Sequence, residues 1–152
     1  MRKLLVVDVV MMAIVVAVAA PSEQSKVMVP VRQLVNGFNQ GDIKMAQSAC
    51  AEQASIIDEF PPYHWSGAGA CSVWMDAYNA WAKQNGVTDG AVTLGKTRAV
   101  EVSGDNAYLV MVTGFTWKQN GQPQRESGAT FTFVLHKATA GWRITAWTWS
   151  KP

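Results

Sequence analysis

Apolar residues recur at two different periods along this chain. From Val27 the apolar positions Val31, Leu34, Val35 and Phe38 follow three and four apart, which predicts a helix, and Asn39-Gln40-Gly41 stops it. Asp42 is placed to cap a second, shorter helix with Ile43, Ala46 and Cys50 on one side. Ala54 to Phe60 reads as a brief strand closed by Pro61-Pro62. Ser66-Gly67 is expected to open a third helix, with Cys71, Trp74, Tyr78 and Trp81 on one stripe and Gly86 as its C-terminal cap. Beyond that point the period becomes two. Strands are predicted at Val92–Val102, Ala107–Lys118, Gly128–Lys137 and Trp142–Trp149. Turns at Ser103-Gly104-Asp105-Asn106, Asn120-Gly121 and Ala140-Gly141 separate them.

Helices at one end of the chain and a meander at the other predict an α+β domain. Its three N-terminal helices would pack in the concave face of a curved antiparallel sheet, forming a cone or open barrel. Side chains rarely fill such a cone, so an apolar cavity is expected between helices and sheet. The strands are apolar on both faces: Leu109, Met111 and Phe115 alternate with Tyr108, Val110 and Val112. A sheet wet on one side would alternate more cleanly, so a second copy of the chain is expected on the outer face.

The first twenty residues stand apart. Arg2 and Lys3 precede an apolar run from Leu4 to Ala20, broken by Asp8 and ending in Ala17-Val18-Ala19-Ala20. This is the pattern of a secretory signal peptide. The alternative, a membrane anchor, needs about 20 uninterrupted apolar residues, more than this run supplies. The expectation is a signal over 1–20, a single domain over 21–152, and a periplasmic or secreted protein with no membrane contact after cleavage. Without Arg2, Lys3 and Asp8 the domain holds 11 basic and 10 acidic residues, a net charge of +1 with no basic cluster. That argues against nucleic acid as a partner. All seven tryptophans fall within the domain, and large rings line cores and ligand pockets alike. In an oxidising compartment Cys50 and Cys71, both read as lying on apolar helix faces, are expected to pair, the alternative being two buried thiols. With two histidines and no ligand pair at zinc spacing, no metal and no cofactor is implied.

The stretch Val31-Arg32-Gln33-Leu34-Val35-Asn36-Gly37-Phe38-Asn39-Gln40-Gly41-Asp42 carries a helix followed by an N-x-G-D break. With Ala54-Ser55-Ile56-Ile57-Asp58, Ser66-Gly67 and the tail Gly141-Trp142-Arg143-Ile144, it resembles the SnoaL-like proteins of the nuclear transport factor 2-like superfamily, which includes ketosteroid isomerase. The resemblance covers nearly the whole domain and implies the cone fold. It says little of activity, because this fold hosts enzymes and non-enzymes.

Asp58 matches the aspartate that shuttles a proton in those isomerases. Among Ile56, Ile57, Phe60 and Trp65, desolvation would raise its pKa and suit it to general-base work; the alternative is a polar anchor for the strand end. His64 could pair with it as acid and base, or sit exposed in a loop. The resemblance places the isomerase's two oxyanion donors at Leu34 and near Thr132. Leucine donates no hydrogen bond and threonine is a weak donor, so steroid isomerisation is not expected. Leu34, Phe38, Phe60, Trp65, Trp74, Tyr78, Tyr108 and Thr132 are the expected pocket residues. Trp147 and Trp149 share a face of the last strand, but alternation alone does not say which face looks inward. Three functions compete: a module binding an unidentified small organic molecule, a proton-transfer enzyme, and a structural dimer with a filled cone.

Overall fold

The computed structural model describes residues 20–152; the signal-peptide reading of 1–20 lies, except for Ala20, outside the described residues. The elements are α1 (Glu23–Gln40), α2 (Ile43–Ser48), β1 (Cys50–Ile57), β2 (His64–Ala68), α3 (Ala70–Gln84), β3 (Val87–Ser103), β4 (Asn106–Gln119), β5 (Gln122–Ala138) and β6 (Gly141–Ser150). The six strands form one sheet in the order β2-β1-β6-β5-β4-β3. The pairing of β1 with β6 is parallel and the rest are antiparallel, so the sheet is not wholly antiparallel as expected. No described helix is long and apolar enough to cross a membrane.

α1 begins where Ser22 caps it, its hydroxyl accepting from Ser25 N–H at 3.2 Å. It ends at Gly41, whose φ of 69° suits a residue without Cβ. Val27, Val31, Leu34 and Val35 face the sheet and are buried. At Gly37 the first two helices touch: a Cβ there would lie 2.5 Å from the Ala46 backbone N. Gly37→Ala is therefore expected to cost about 1–3 kcal/mol by overpacking, outweighing the usual helix gain, as read from a urea midpoint. An unchanged midpoint would mean the helices do not approach this closely.

Two local expectations need correction. Ser66-Gly67 does not open the third helix; His64–Ala68 is a strand running antiparallel to Gln53–Ile57. The chain makes its reversal at Asp58–Tyr63, where Asp58 N–H donates to Tyr63 O and Tyr63 N–H to Phe60 O. The third helix starts at Ala70, after Gly69 at φ 69°. Cys50, in turn, opens β1 rather than sitting on a helix face, and it forms a disulfide with Cys71 at the start of α3. The bridge pins β1 to α3, the two elements that flank Asp58.

β3, β4 and β5 are long, and β3 breaks register with β4 at three places. Bulges of this kind bend a strand, here around the helices. The inner face carries Leu109, Met111, Phe131, Phe133, Leu135, Ile144 and Trp147, all buried. On the outer face Tyr108 and Val134 are directly paired, 43% and 41% exposed.

Candidate functional site

Between the helices and the concave face lies a cavity of about 280 Å³. α1 contributes Leu34, Val35 and Phe38; α3 contributes Trp74, Tyr78 and Trp81. The sheet supplies Val92, Phe115, Trp117, Phe131, Trp147 and Trp149. Asp58, Glu59 and Phe60 come from the turn after β1, while Glu126 and Lys151 complete the lining. The cone is thus not filled by its own side chains.

The spacing of the α3 stripe sets up the aromatic wall. Trp74 stacks on Tyr78 at 5.9 Å and meets Trp147 edge-on at 4.8 Å. Phe38 reaches from α1 to Tyr78 at 5.0 Å, and Phe115 stacks on Trp117 at 5.1 Å. Such pairs hold one another in place and favour offset or edge-on arrangements. Asn39, read from sequence only as part of a helix stop, clamps this wall to β3. Its amide donates to Val92 O at 2.9 Å and accepts from Val92 N–H at 2.8 Å. Tyr78 fits because residue 90 is glycine, where a Cβ would come within 2.6 Å of the phenol oxygen.

Asp58 sits just past the end of β1. Its Oδ1 accepts from Glu59 N–H at 2.7 Å and its Oδ2 from the Trp74 indole N–H at 2.9 Å. Burial pushes its pKa up to about 6, and those two bonds only partly oppose the shift. Burial also raises Glu59, with Glu126 adding to the effect. The Tyr78 phenol is pushed up to about 12, first by burial and then by the Asp58 charge, so it remains a neutral donor near neutrality.

A stability signature follows from Asp58. Its folded pKa lies above the ordinary 3.8, so the folded protein holds this proton more tightly than the unfolded chain. The resulting stability is present below about pH 4 and is lost as pH rises through about 6. Wild-type stability relative to Asp58→Asn is expected to fall by about 2–3 kcal/mol between roughly pH 4 and pH 7, measured by urea denaturation. A pH-independent difference would place the carboxyl in water instead.

The other expected site residues are placed unevenly. Leu34, Phe38, Phe60, Trp74 and Tyr78 line the cavity with Asp58. Four do not. His64 pairs across the sheet with Ile57, on the face opposite the buried Trp65–Ile56 pair, and its ring bonds the Ser55 hydroxyl at 3.1 Å. Strand alternation therefore turns it away from Asp58, and the expected acid–base pair does not form. Trp65 is buried behind Phe60, at 4.9 Å between rings, and does not reach the lumen. Tyr108 points to the outer face. Thr132 pairs with Val110 and Thr148 outside the lining, flanked in sequence by the buried Phe131 and Phe133. Neither phenylalanine donates a hydrogen bond.

Other lining residues were left open or unnamed in the sequence reading of the site. Trp147 and Trp149 prove to face inward, where Trp149 donates to Glu126 Oε1 at 2.8 Å. Glu126 and Lys151 carried no sequence signal, and Lys151 lies 3.4 Å from Glu59 at the rim. Among the described residues no three His, Cys, Asp or Glu side chains gather to hold a metal.

The family model for the SnoaL-like domain matches residues 28–152. A nuclear transport factor 2-like superfamily protein from Salmonella enterica serovar Typhimurium superposes with a TM-score of 0.71 at 19% identity, covering 86% of this chain and 91% of that one. A ketosteroid isomerase-like protein from Erwinia carotovora atroseptica gives 0.65 at 19% identity, with coverage of 85% and 95%. An NTF2-like protein with a cystatin-like fold from Novosphingobium aromaticivorans gives 0.68 at 16%, with 85% and 81%. At these identities the likeness shows the fold. No curated protein matches the chain.

Proposed function

Because the chain belongs to the SnoaL-like domain family, whose cone fold commonly holds small molecules, we propose that it is an exported module binding a small apolar or aromatic molecule between its helices and sheet. The observation that carries this reading is the cavity itself, about 280 Å³ of open space walled by aromatic rings. That volume is just below the usual range for ligand pockets, roughly 300–1,000 Å³, and suits a molecule of one or two rings. Export is supported by the pattern of the first twenty residues and by the Cys50–Cys71 disulfide, which belongs with an oxidising compartment. The outer face around Tyr108 and Val134 suits a second copy of the chain.

Calorimetric titration with 2-naphthol, a neutral two-ring probe, tests the reading. Val92→Trp, which fills the cavity from β3, is expected to weaken binding by about tenfold or more, since an occupied pocket forfeits the contacts it offered. Asp58→Asn is expected to leave it largely intact. Equal affinity in wild type and Val92→Trp would place the probe elsewhere.

A second reading, proton transfer with Asp58 as general base, is favoured by the raised pKa of that carboxyl at the cavity wall. Against it stand the two hydrogen bonds that occupy Asp58, the absence of a donor at Leu34, and the place of Thr132 outside the lining. An activity abolished by Asp58→Asn with binding and folding preserved would favour this second reading over the first.

A further inference from the structure

We infer that the occupant of this cavity is an organic monocation: an aromatic or compact apolar group carrying an amine or quaternary ammonium. The inference rests on the cavity being a binding site and names the class of molecule it takes.

Ten of the seventeen lining residues are aromatic, and they come from every wall. Ring faces carry the negative side of the aromatic quadrupole and attract a cation within about 6 Å of the ring centre. The ionisable lining adds to this attraction. Asp58, Glu59 and Glu126 face a single cation, Lys151, whose ammonium is held at 3.4 Å by Glu59 and is largely solvated. Asp58 and Glu126 are left without a basic partner among the described ion pairs.

Hydrogen-bond accounting points the same way. An indole N–H is the natural donor for a ligand carbonyl or carboxylate; of the five indoles in the lining three are already used, while the buried Trp147 N–H has no partner. Trp74 donates to Asp58 and Trp149 to Glu126, while Trp117 donates to Gln119. The bonds from Trp74 and Trp149 orient the two carboxylates, and Glu126 Oε2 takes part in no described hydrogen bond, so the cavity presents carboxylate acceptors alongside the neutral donors of Trp147 and Tyr78. A ligand that brings N–H donors or a diffuse positive charge completes this set. A carboxylate or sulfonate would meet like charge at Asp58 and Glu126, which the neutral Trp147 and Tyr78 donors offset only in part.

Three probes of matched shape test the inference through intrinsic tryptophan fluorescence of the folded protein near neutral pH: phenyltrimethylammonium, the neutral tert-butylbenzene, and the anion benzenesulfonate. The ammonium is expected to bind about tenfold or more tighter than its neutral isostere, with the sulfonate weakest. Asp58→Asn and Glu126→Gln should each weaken the ammonium roughly three- to tenfold and leave tert-butylbenzene within about twofold. The wild-type comparison stands even if one variant fails to fold. Equal or tighter binding of the neutral probe would overturn the cation inference while sparing the small-molecule reading. Tightest binding of the sulfonate would overturn it as well. Saturable binding by none of the three would overturn both.

Discussion

Trp74→Ala is expected to destabilise the protein by about 3–5 kcal/mol, the range for emptying a buried aromatic site. Trp74 is only 8% exposed and meets rings from α1, α3 and β6. Its removal also strips Asp58 Oδ2 of its donor. Trp74→Phe separates the two roles, because it keeps a ring and removes the N–H. For that variant the loss should be about 1–3 kcal/mol above pH 6, the cost of leaving a buried acceptor unpaired. The loss should shrink below that pH as the carboxyl protonates and no longer needs to accept two bonds. Denaturation curves at pH 4.5 and 7.5 would show this. A cost that is the same at both would mean that Trp74 supports the fold by packing alone.

Replacing Cys50 and Cys71 together by alanine should cost about 3 kcal/mol, from the entropy that a closed loop of 21 residues removes from the unfolded chain. The loop spans β1, the Asp58 turn, β2 and the start of α3, so its loss should also loosen the cavity rim. Hydrogen exchange at residues 58–65 is the sensitive readout. A double variant within about 0.5 kcal/mol of the wild type would show that the unfolded chain is already constrained in this region. Thiol titration of protein folded under oxidising conditions checks the same bridge: the account expects no reactive thiol after denaturation in the absence of reductant.

What the sequence made legible was local. The stripe of Trp74, Tyr78 and Trp81 had a period that could be read directly, and it proved to wall the cavity. The Asn39–Asp42 break proved to turn one helix into the next, with Gly41 in the left-handed region. β2 was missed because five residues after two prolines hold too little alternation to separate a strand from a loop; its strand state comes from pairing with β1. Thr132 was taken as inward because a resemblance fixes register only to a residue, and one residue reverses the face. The observed pairing of Phe133 with Trp147 and Phe131 with Trp149 settles that face. Glu126 and Lys151 join the site through the bend of the sheet and the return of the last strand, relations that no local pattern encodes.

The central claim is that the cone is a binding chamber, and the tryptophans provide internal reporters for it. Trp74, Trp81, Trp117, Trp147 and Trp149 line the cavity, whereas Trp65 and Trp142 lie outside it. Indole N–H resonances of 15N-tryptophan-labelled protein should therefore divide as 2-naphthol is added. Signals of the five lining residues should shift saturably, and those of Trp65 and Trp142 should stay in place. Shifts confined to Trp65 and Trp142, or no saturable shift at any of the seven, would contradict the account.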